Sequence, residues 1–338
     1  NQRDTRFGDA EPLRILDRVF ADDKPLGDGH AAVDHHLAQP GMAGDGDVRQ
    51  EFRQCPICEG NDLSTAYRFA QFSILKCRDC HNAWRTNLYS ASDITAMYVG
   101  EEYARNPYFS YDVKQFRSLA RERYENYDHA LTTIEAIKGR GKLLDVGCGS
   151  GAFLSLAKQR GWDVSGVELS PSLSRVCREN TQVEIANMSF EQVHLPSGTY
   201  DVIAMWDLIE HVVDPVFCIQ KVRQLLKPGG VALFCTPDED SLLARAGQFL
   251  YRLSGGKLSY PALALHPTYH TYFFCRDGFT GMLEREGLLG VRCYSQVAFF
   301  EHSQLPSRLV KWGISAIEKL GAMADRRYEI VCLAQKPD

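Results

Sequence analysis

The feature that most constrains the fold is the regular alternation of strand-like and helix-like stretches after Leu143. The strand-like stretches are short and rich in Val, Leu and Ile, and amphipathic stretches separate them. The predicted strands are KLLDV, DVSGVEL, VEIAN, DVIAMW and VALFCT, and the predicted helices are GAFLSLAKQRG, PSLSRVCREN and PVFCIQKVRQLLKPGG. Because this rhythm implies crossover connections, it predicts an α/β fold whose parallel sheet is covered by helices on both faces.

Two further strands are predicted near the end of the chain, in VRCYSQVAFF and YEIVCLAQK, with a helix in LPSRLVKWGISAIEKLGAMADRR between them. The apolar stretch before them is too long for a simple connection, so we expect a substrate lid at about residues 238–272. A chain of 338 residues is long enough for one large domain and a smaller one.

The part of the chain before the alternating region divides into three by composition. Residues 1–50 are rich in Asp, Gly and His and predict a flexible arm. Residues 51–89 form a compact module that carries four cysteines, and residues 90–140 have helical spacing, which predicts a linker or substrate cap. The remaining residues, 141–338, are expected to form the main domain.

Composition narrows the class of protein. A net charge of −5 and a pI near 6.1 argue against a general nucleic-acid or anionic-membrane binder, although a local basic patch would be compatible with them. No stretch approaches the ~20 apolar residues of a membrane span, and the first residues lack the order of a secretory signal. Outside the module, seven cysteines lie in apolar stretches and are expected to be reduced core thiols, which predicts a cytoplasmic protein.

The four cysteines of the module occur as two C-x-x-C pairs, CPIC and CRDC, separated by 18 residues. Two such pairs at this separation predict a structural Zn²⁺ site with four thiolate ligands. The ligands would be Cys55, Cys58, Cys77 and Cys80. The pentapeptide CRDCH also matches a c-type haem attachment site, but a haem would leave the first pair unexplained and would need export.

A glycine-rich loop, LLDVGCGSGAF, stands where the first strand of the alternating region should end and the first helix should begin. Gly147, Gly149 and Gly151 allow a tight turn and close approach of a ligand. A dinucleotide is the main alternative ligand for such a loop. Asp145 before the loop favours a cationic amino group over a pyrophosphate, and Glu168, 23 residues later, is placed to accept both ribose hydroxyls.

Together with YDVIAMWDLIEHVVDP and LKPGGVALFCTP, this loop resembles the class I S-adenosylmethionine-dependent methyltransferases, and most closely the group that includes the ubiquinone-biosynthesis O-methyltransferases. The resemblance covers about residues 140–300. It implies a Rossmann-like sheet of seven strands in the order 3-2-1-4-5-7-6, with only the seventh strand antiparallel. It also implies S-adenosylmethionine as cofactor.

The resemblance also implies a set of cofactor-binding residues. These are Asp145, Gly147, Cys148, Gly149, Gly151 and Phe153 in and around the loop, Glu168 and Leu169 after the second strand, Ser189 and Phe190 at the adenine, and Met205, Trp206 and Asp207 after the fourth strand. Ser189 stands where relatives commonly have an Asp that reads the adenine amino group, so Phe190 and backbone contacts would carry more of the adenine binding. Plain core packing is an equally good interpretation of Trp206.

Candidates for the chemistry come from two stretches. In WDLIEH, Asp207, Glu210 and His211 are spaced i, i+3 and i+4, so we expect them on one face of a helical turn. His211 is a candidate general base there, and Glu210 and His211 could instead only tie the loop to its neighbours. The three residues also resemble the E-x-x-E-H motif of metal-assisted methyltransferases, and a divalent cation bound there is the less favoured interpretation. In HPTYHTYFF, which resembles the substrate-side wall of the family, His270 is the leading general base, with His266 as its alternative.

The combination of a zinc module and this domain resembles a bacterial group associated with cell-surface glycans and secondary metabolites. The expected function is therefore O-methylation of a small-molecule or sugar acceptor, in the cytoplasm, with no nucleic-acid partner. The alternatives are an RNA methyltransferase whose zinc module holds RNA, a deoxysugar C-methyltransferase, and a non-catalytic scaffold that binds the cofactor. The negative charge and the few basic residues around the four cysteines argue against RNA.

Overall fold

A computed structural model describes residues 52–70, 72–100, 121–297 and 308–338. The predicted arm at 1–50 and the middle of the predicted helical linker, at 101–120, lie outside the described residues. No helix of the described ranges combines the length and the apolar character that a membrane crossing requires.

The elements are numbered in chain order. The strands are β1 Leu63–Arg68, β2 Ser73–Cys77, β3 Ala83–Arg85, β4 Lys142–Val146, β5 Asp163–Val167, β6 Ile185–Ala186, β7 Tyr200–Trp206, β8 Leu226–Pro237, β9 Tyr272–Phe273, β10 Leu289–Gln296 and β11 Glu329–Gln335. The helices are α1 Ala91–Val99, α2 Arg121–Lys138, α3 Ala152–Gln159, α4 Pro171–Thr181, α5 Pro215–Leu225, α6 Leu242–Leu253, α7 Tyr260–Leu265, α8 Arg276–Arg285 and α9 Arg308–Ala324.

Seven strands form the main sheet in the order β10-β11-β8-β7-β4-β5-β6. Pairs among β4, β5, β6, β7 and β8 are parallel, and β11 runs antiparallel to both of its neighbours. Counted along the chain within this sheet, the order is 3-2-1-4-5-7-6 with the seventh strand antiparallel, which confirms the predicted fold. The carboxyl ends of the parallel strands therefore meet at one edge, where ligands bind in open α/β sheets.

Both faces of this sheet are buried, as the continuous apolar strands predicted. Alternate residues of one strand point to opposite faces, so that Leu143 and Val202 pack on the side of α2 and α3. Leu144 and Ile203 pack on the other side, together with residues of α5 and α8.

Two predicted boundaries were wrong. The third strand, predicted over VEIAN, is only the two residues of β6. The helix predicted over PVFCIQKVRQLLKPGG ends at Leu225, and β8 begins at the next residue, which has extended backbone angles. Pro228 disfavours helix in the residue before it, and Gly229 has a φ of +64°, so the chain leaves the helix earlier than its apolar spacing suggests.

The four-cysteine module forms a second sheet, in the order β1-β2-β3-β9. Its last strand, β9, comes from the distant HPTYHTYFF stretch, and it pairs Ala83 with Phe273 and Trp84 with Tyr272. Trp84 is fully buried in the same core as Met205 and other residues of the main sheet. The module thus packs against the main domain and shares a sheet with it, and the predicted domain boundaries themselves stay a prediction.

One prediction about the cysteines was wrong. Cys293 and Cys332, expected as reduced core thiols, are joined by a disulfide. They occupy directly opposite positions of the antiparallel strands β10 and β11, where the side chains of a cross-strand pair come close together. The sequence pattern could not show this pairing, because 39 positions separate the two residues.

Candidate active site

The glycine-rich loop connects β4 to α3 at the carboxyl edge of the main sheet. Its three glycines all have left-handed backbone angles, with φ of +73° at Gly147, +54° at Gly149 and +89° at Gly151. The amide of Gly147 donates to the carbonyl of Val167 at 2.8 Å, which ties the loop to the end of β5. Left-handed φ favours glycine, so the loop needs this residue at each of the three positions.

The three glycines meet different surroundings. A side chain at Gly149 would point into open space, whereas a Cβ at Gly147 would lie 3.1 Å from the side chain of Leu208. At Gly151 a Cβ would lie 2.6 Å from the Cys177 sulfur, inside the contact of the loop with α4. Gly149 therefore leaves room for a ligand, and Gly151 allows two helices to pack closely.

We expect Gly151→Ala to destabilise the protein by about 2 to 4 kcal/mol, because it combines left-handed strain with a clash. Urea unfolding of the two proteins measures the change. Gly198→Ala is the matched control, since its φ is +61° but no atom lies within 4 Å of the added Cβ. The control should cost only about 1 kcal/mol, and equal losses in both variants would contradict the packing role.

Two buried carboxylates flank the loop. Asp145 lies in β4, 2% exposed, and its Oδ1 has no hydrogen-bond partner among the described residues. Glu168 follows β5, and its carboxylate accepts from the amides of Gly149 and Ser170, each at 2.8 Å. Burial raises the pKa of Asp145 well above its ordinary value and raises that of Glu168 as well.

This donor set fits S-adenosylmethionine. An unpartnered carboxylate suits the α-ammonium group of the methionine part, because a buried charge is stable only when it is paired. Glu168 presents a carboxylate beside the loop, as ribose hydroxyls require. The residues that the resemblance assigned to the loop and to the ribose thus lie together at one edge of the sheet.

The predicted adenine residues lie beyond Glu168. Leu169 and Ser189 are half-buried and Phe190 is 4% exposed. Asn187 donates to the carbonyls of Glu168 and Leu169, at 2.8 and 3.0 Å, and so holds the two segments together. The hydroxyl of Ser189 accepts a hydrogen bond from the amide of Gln192 at 3.3 Å, so it is engaged in a local contact.

Four predicted cofactor residues face inward. Met205 is fully buried in the core, and the Cys148 sulfur lies 3.7 Å from that of Cys177. Phe153 and Trp206 pack with each other at 5.3 Å between ring centroids, and both contact the ring of Tyr127. The indole Nε1 of Trp206 has no hydrogen-bond partner among the described residues, and Trp206 lines a small cavity, so it both packs and borders open space.

Three of the predicted catalytic side chains meet in one buried cluster. Ligand atoms of Glu210, His211 and His270 lie within 4.8 Å of one another, and the two imidazole rings stand edge to face at 4.6 Å. Glu210 is 1% exposed and accepts from the Thr236 hydroxyl at 3.1 Å. Chemically, two imidazoles and one carboxylate could hold a divalent cation or serve in proton transfer.

The protonation states in this cluster follow from burial. The Nδ1 of His211 lies 3.0 Å from the Tyr269 carbonyl, an acceptor, so Nδ1 carries the proton and Nε2 keeps a lone pair. Burial lowers the pKa of His211 to about 4 and lowers that of His270 well below its usual value. Burial and the nearby Asp207 carboxylate raise the pKa of Glu210. Both imidazoles are therefore neutral at pH 7.

His266, the alternative base, lies outside this cluster. Its Nδ1 donates to the Ala262 carbonyl at 2.6 Å, and its Nε2 lies 2.7 Å from a Glu239 carboxylate oxygen. Its ring packs between Tyr67 of β1 and Phe273 of β9. Burial alone would lower the pKa of His266, but the Glu239 carboxylate raises it above the usual value. Both ring nitrogens of His266 therefore make contacts that hold the module in place.

Asp207 lies near Glu210 but does not join the cluster of Glu210, His211 and His270, contrary to the expected single helical face. Asp207 has a φ of +48°, which interrupts the turn before it begins. Its carboxylate lies 3.3 Å from the guanidinium of Arg123 and accepts from the Cys235 thiol at 3.5 Å. It groups with Cys235 and Glu329 instead, so among the described residues the less favoured cation set of Asp207, Glu210 and His211 is not brought together.

Sequence reasoning missed Tyr98 and Glu329. Tyr98 of α1 places its hydroxyl 2.9 Å from His211 Nδ1. Burial raises the pKa of this hydroxyl, and the nearby Glu210 and Glu168 carboxylates add to the effect, so Tyr98 lies close to the histidine cluster and to a predicted cofactor residue. Glu329 begins β11, where burial and Asp207 raise its pKa to about 8. A charged residue at the start of an otherwise apolar strand was the signal for Glu329.

The four cysteines of the module come together as the spacing predicted. The Sγ distances are 3.7 Å for Cys55–Cys80 and 3.6 Å for Cys58–Cys77. Zn–S bonds of about 2.3 Å in a regular tetrahedron give S···S edges of about 3.8 Å. The amide of Ile57 points at the Cys55 sulfur from 3.4 Å, as in thiolate metal sites. The geometry fits Zn²⁺ with four thiolates.

The module holds the segment that carries His270. The guanidinium of Arg85 and the hydroxyl of Tyr89 both donate to the Thr268 carbonyl, and the Arg85 amide donates to Thr271 at 3.1 Å. On its other side, the same segment donates from the Thr271 amide to the Glu210 carbonyl at 2.8 Å. His270 is thus positioned between the four-cysteine module and the turn that follows β7.

Comparison with known proteins decides the family. A profile of the family described as "Methyltransferase domain" matches residues 119–291, about half of the chain. The chain belongs to this methyltransferase family. The class I fold and the S-adenosylmethionine-dependent type, expected from the motifs, agree with this match.

Curated relatives of this methyltransferase include ubiquinone biosynthesis O-methyltransferases of several bacteria. That of Acinetobacter baylyi is 34% identical over 102 residues, 28% of this chain and 43% of the relative. That of Histophilus somni is 29% identical over 156 residues, 40% of this chain and 66% of the relative. The chain spans less than half of the first relative's length, so the match does not extend to the whole of that protein.

Among solved structures, this methyltransferase is similar to phosphoethanolamine N-methyltransferase 2 of Haemonchus contortus in complex with S-adenosyl-L-methionine. The match has 16% identity and a TM-score of 0.51, and it covers 76% of this chain and 62% of that one. At this identity the likeness supports the fold alone.

Proposed function

We propose that this methyltransferase transfers the methyl group of S-adenosylmethionine to a hydroxyl oxygen of a small-molecule or sugar acceptor, with His270 as the general base. The observation that carries the proposal is the buried His270, whose Nδ1 has no hydrogen-bond partner among the described residues. It lies in one cluster with Glu210 and His211, at the sheet edge that also holds the glycine loop.

The cofactor supplies an activated methyl group on a sulfonium. Asp145 would pair with its ammonium group, Glu168 would accept from its ribose hydroxyls, and the open backbone at Gly149 would let it approach. Holding the cofactor and an acceptor in line is the main contribution an enzyme makes to such a displacement. The contacts of Phe190 and Leu169 would then enclose the adenine.

A neutral imidazole is the form that can accept a proton from a hydroxyl. His270 is neutral at pH 7 because burial disfavours its charged form, and the His211 ring beside it adds to the effect. Glu210, close to both rings, would stabilise the imidazolium that forms in the transition state. The Tyr269 carbonyl and the Tyr98 hydroxyl keep His211 in one orientation.

Transfer to oxygen is supported by the names of the curated relatives, which are O-methyltransferases. A small acceptor fits a cluster that is enclosed by α1 and by the segment around His270. The zinc module would act structurally, since all four ligand positions of its metal are filled by thiolates.

The test is methyl transfer from S-adenosylmethionine to a panel of catechols, free sugars and sugar nucleotides, followed as release of S-adenosylhomocysteine. With an acceptor that turns over, we expect His270→Ala to lower kcat about a thousandfold and to leave the Kd for S-adenosylhomocysteine unchanged. His194→Ala, an exposed histidine, is the matched control and should change neither. Wild-type turnover by His270→Ala would rule out His270 as the base.

A further inference from the structure

Helices α6 and α9 expose an unusual number of large apolar side chains. On α6, Phe249 is 64% and Leu253 is 72% exposed. On α9, Trp312 is 74%, Leu320 is 58% and Met323 is 86% exposed. The two helices pack together through their other faces, where Leu243 of α6 and Ile314 and Ile317 of α9 share one apolar cluster. These exposed side chains are therefore not part of the protein's own core and form an apolar surface patch.

Each helix keeps these residues on one side. Trp312, Leu320 and Met323 follow one another at near-multiples of the helical repeat, opposite the buried positions Glu318 and Gly321. Phe249 and Leu253 are spaced i, i+4 on the face of α6 opposite the buried Leu243, Ala244 and Gly247. Leu258, 54% exposed, continues the apolar surface after α6.

The charges among these residues are of one sign. From 242 to 275 the charged side chains are Arg245, Arg252 and Lys257, all exposed, and the stretch contains no Asp or Glu. Arg245 lies 3.7 Å from the Asp240 carboxylate before α6, so Arg252 and Lys257 contribute most of the positive charge here. On α9, Lys319 lies on the exposed apolar side, whereas the helix's one acid, Glu318, is buried on the opposite face. A chain with a net charge of −5 thus concentrates positive charge where it exposes apolar side chains.

This combination favours an anionic lipid surface over a second protein. Protein interfaces are depleted of Lys, and a two-fold symmetric dimer through this face would place Lys and Arg opposite Lys and Arg. An anionic membrane instead attracts the basic side chains while Trp, Phe and Leu enter the boundary between head groups and acyl chains. Long Lys and Arg side chains can extend to the head groups without withdrawing the apolar residues.

We propose that α6 and α9 form a docking surface for an anionic lipid bilayer, on which the protein lies without crossing it. The proposal stands apart from the methyl-transfer chemistry, because none of these side chains belongs to the cofactor residues or to the histidine cluster. It refines the expectation drawn from net charge, since the basic surface is local. The helices adjoin the segment of His270 through α7, so docking would bring the acceptor side close to the membrane.

Co-sedimentation with 100-nm vesicles tests the proposal. At low salt we expect binding to vesicles of phosphatidylcholine with 30% phosphatidylglycerol at least tenfold stronger than binding to pure phosphatidylcholine, because each Lys or Arg near the surface contributes about fivefold. Binding should weaken as salt increases. Arg252→Glu should reduce binding to the anionic vesicles about tenfold or more, and the double variant Trp312→Ser, Met323→Ser should reduce it to a similar degree.

Two controls match these variants. Arg175→Glu changes an exposed arginine on α4, and Phe217→Ser changes a 42% exposed aromatic on α5, so both should bind vesicles like the wild type. Equal binding to both vesicle types, no binding to either, or equal losses in the controls would overturn the proposal. A concentration-dependent dimer in light scattering that disappears in Trp312→Ser, Met323→Ser would show that a second copy covers the face, and would also overturn it.

Discussion

Cys80→Ser is expected to abolish zinc binding and to lower the melting temperature by about 10 °C or more. A structural Zn²⁺ contributes on the order of 10 kcal/mol to the folding of a small module, and a loss of even a few kcal/mol moves Tm by this amount. Here the loss should spread beyond the module, because β3 pairs with β9 and Trp84 lies in the core of the main domain. Metal content by mass spectrometry and thermal unfolding measure both effects.

Hydrogen exchange shows how far the loss extends. In Cys80→Ser we expect faster exchange at residues 268–275, because the Thr268 carbonyl, the Thr271 carbonyl and the Cys275 amide are all bonded to the module. Exchange in β4 and β7 should change little. Cys218→Ser, the same substitution at a buried cysteine of α5, should retain zinc and normal exchange at 268–275. Retention of zinc by Cys80→Ser would contradict the four-thiolate site.

Asp145→Asn is expected to weaken binding of S-adenosylhomocysteine about a hundredfold, since truncating one partner of a buried charge pair costs several kcal/mol. The substitution keeps the shape of the side chain and removes the charge that would pair with the ammonium group. Titration calorimetry of the two proteins measures the change. Asp163→Asn, at the opposite end of the neighbouring strand β5 and exposed, is the matched control and should bind like the wild type.

The expected pair of Asp145 and the ammonium group also makes cofactor binding depend on pH. Burial, followed by Cys177 and Glu168, raises the pKa of Asp145 well above its ordinary value, and an ammonium partner would favour the ionised form. Binding should therefore release a proton, and the affinity should fall as the pH decreases through the raised pKa of the free protein. Calorimetry in buffers of different ionisation enthalpy should show this release in the wild type and a smaller one in Asp145→Asn. Equal proton release in both would exclude Asp145 as its source.

Much of the fold could be predicted from the sequence because its signals are local. Apolar strands alternate with helices over a few residues each, so the seven-stranded sheet and its order followed from pattern and resemblance. The glycine loop needs left-handed backbone at three nearby positions, and Gly147, Gly149 and Gly151 supply it. Each C-x-x-C pair is also a local turn, which is why the cluster of four cysteines was recognisable before the fold was known.

Spacing along the chain was a poor guide where one backbone angle changed the direction of a side chain. Asp207, Glu210 and His211 have the spacing of one helical face, yet the positive φ of Asp207 directs its carboxylate to Arg123 and Cys235. Instead, His270, which follows α6 and α7 in the chain, lies against Glu210 and His211. Such a grouping depends on packing between segments that are distant in the chain, and the spacing of residues in the sequence does not indicate it.

The sequence by itself determined the class of sheet, the cofactor loop and the four-cysteine cluster, since each rests on residues that are neighbours in the chain. Only the tertiary structure decided that β9 joins the four-cysteine module to the segment of His270, that Tyr98 contacts His211, and that Cys293 pairs with Cys332. These contacts connect elements that are far apart in sequence, and their free energy depends on how the whole core packs. The alternating strands show where a site can form, and long-range packing selects the side chains that form it.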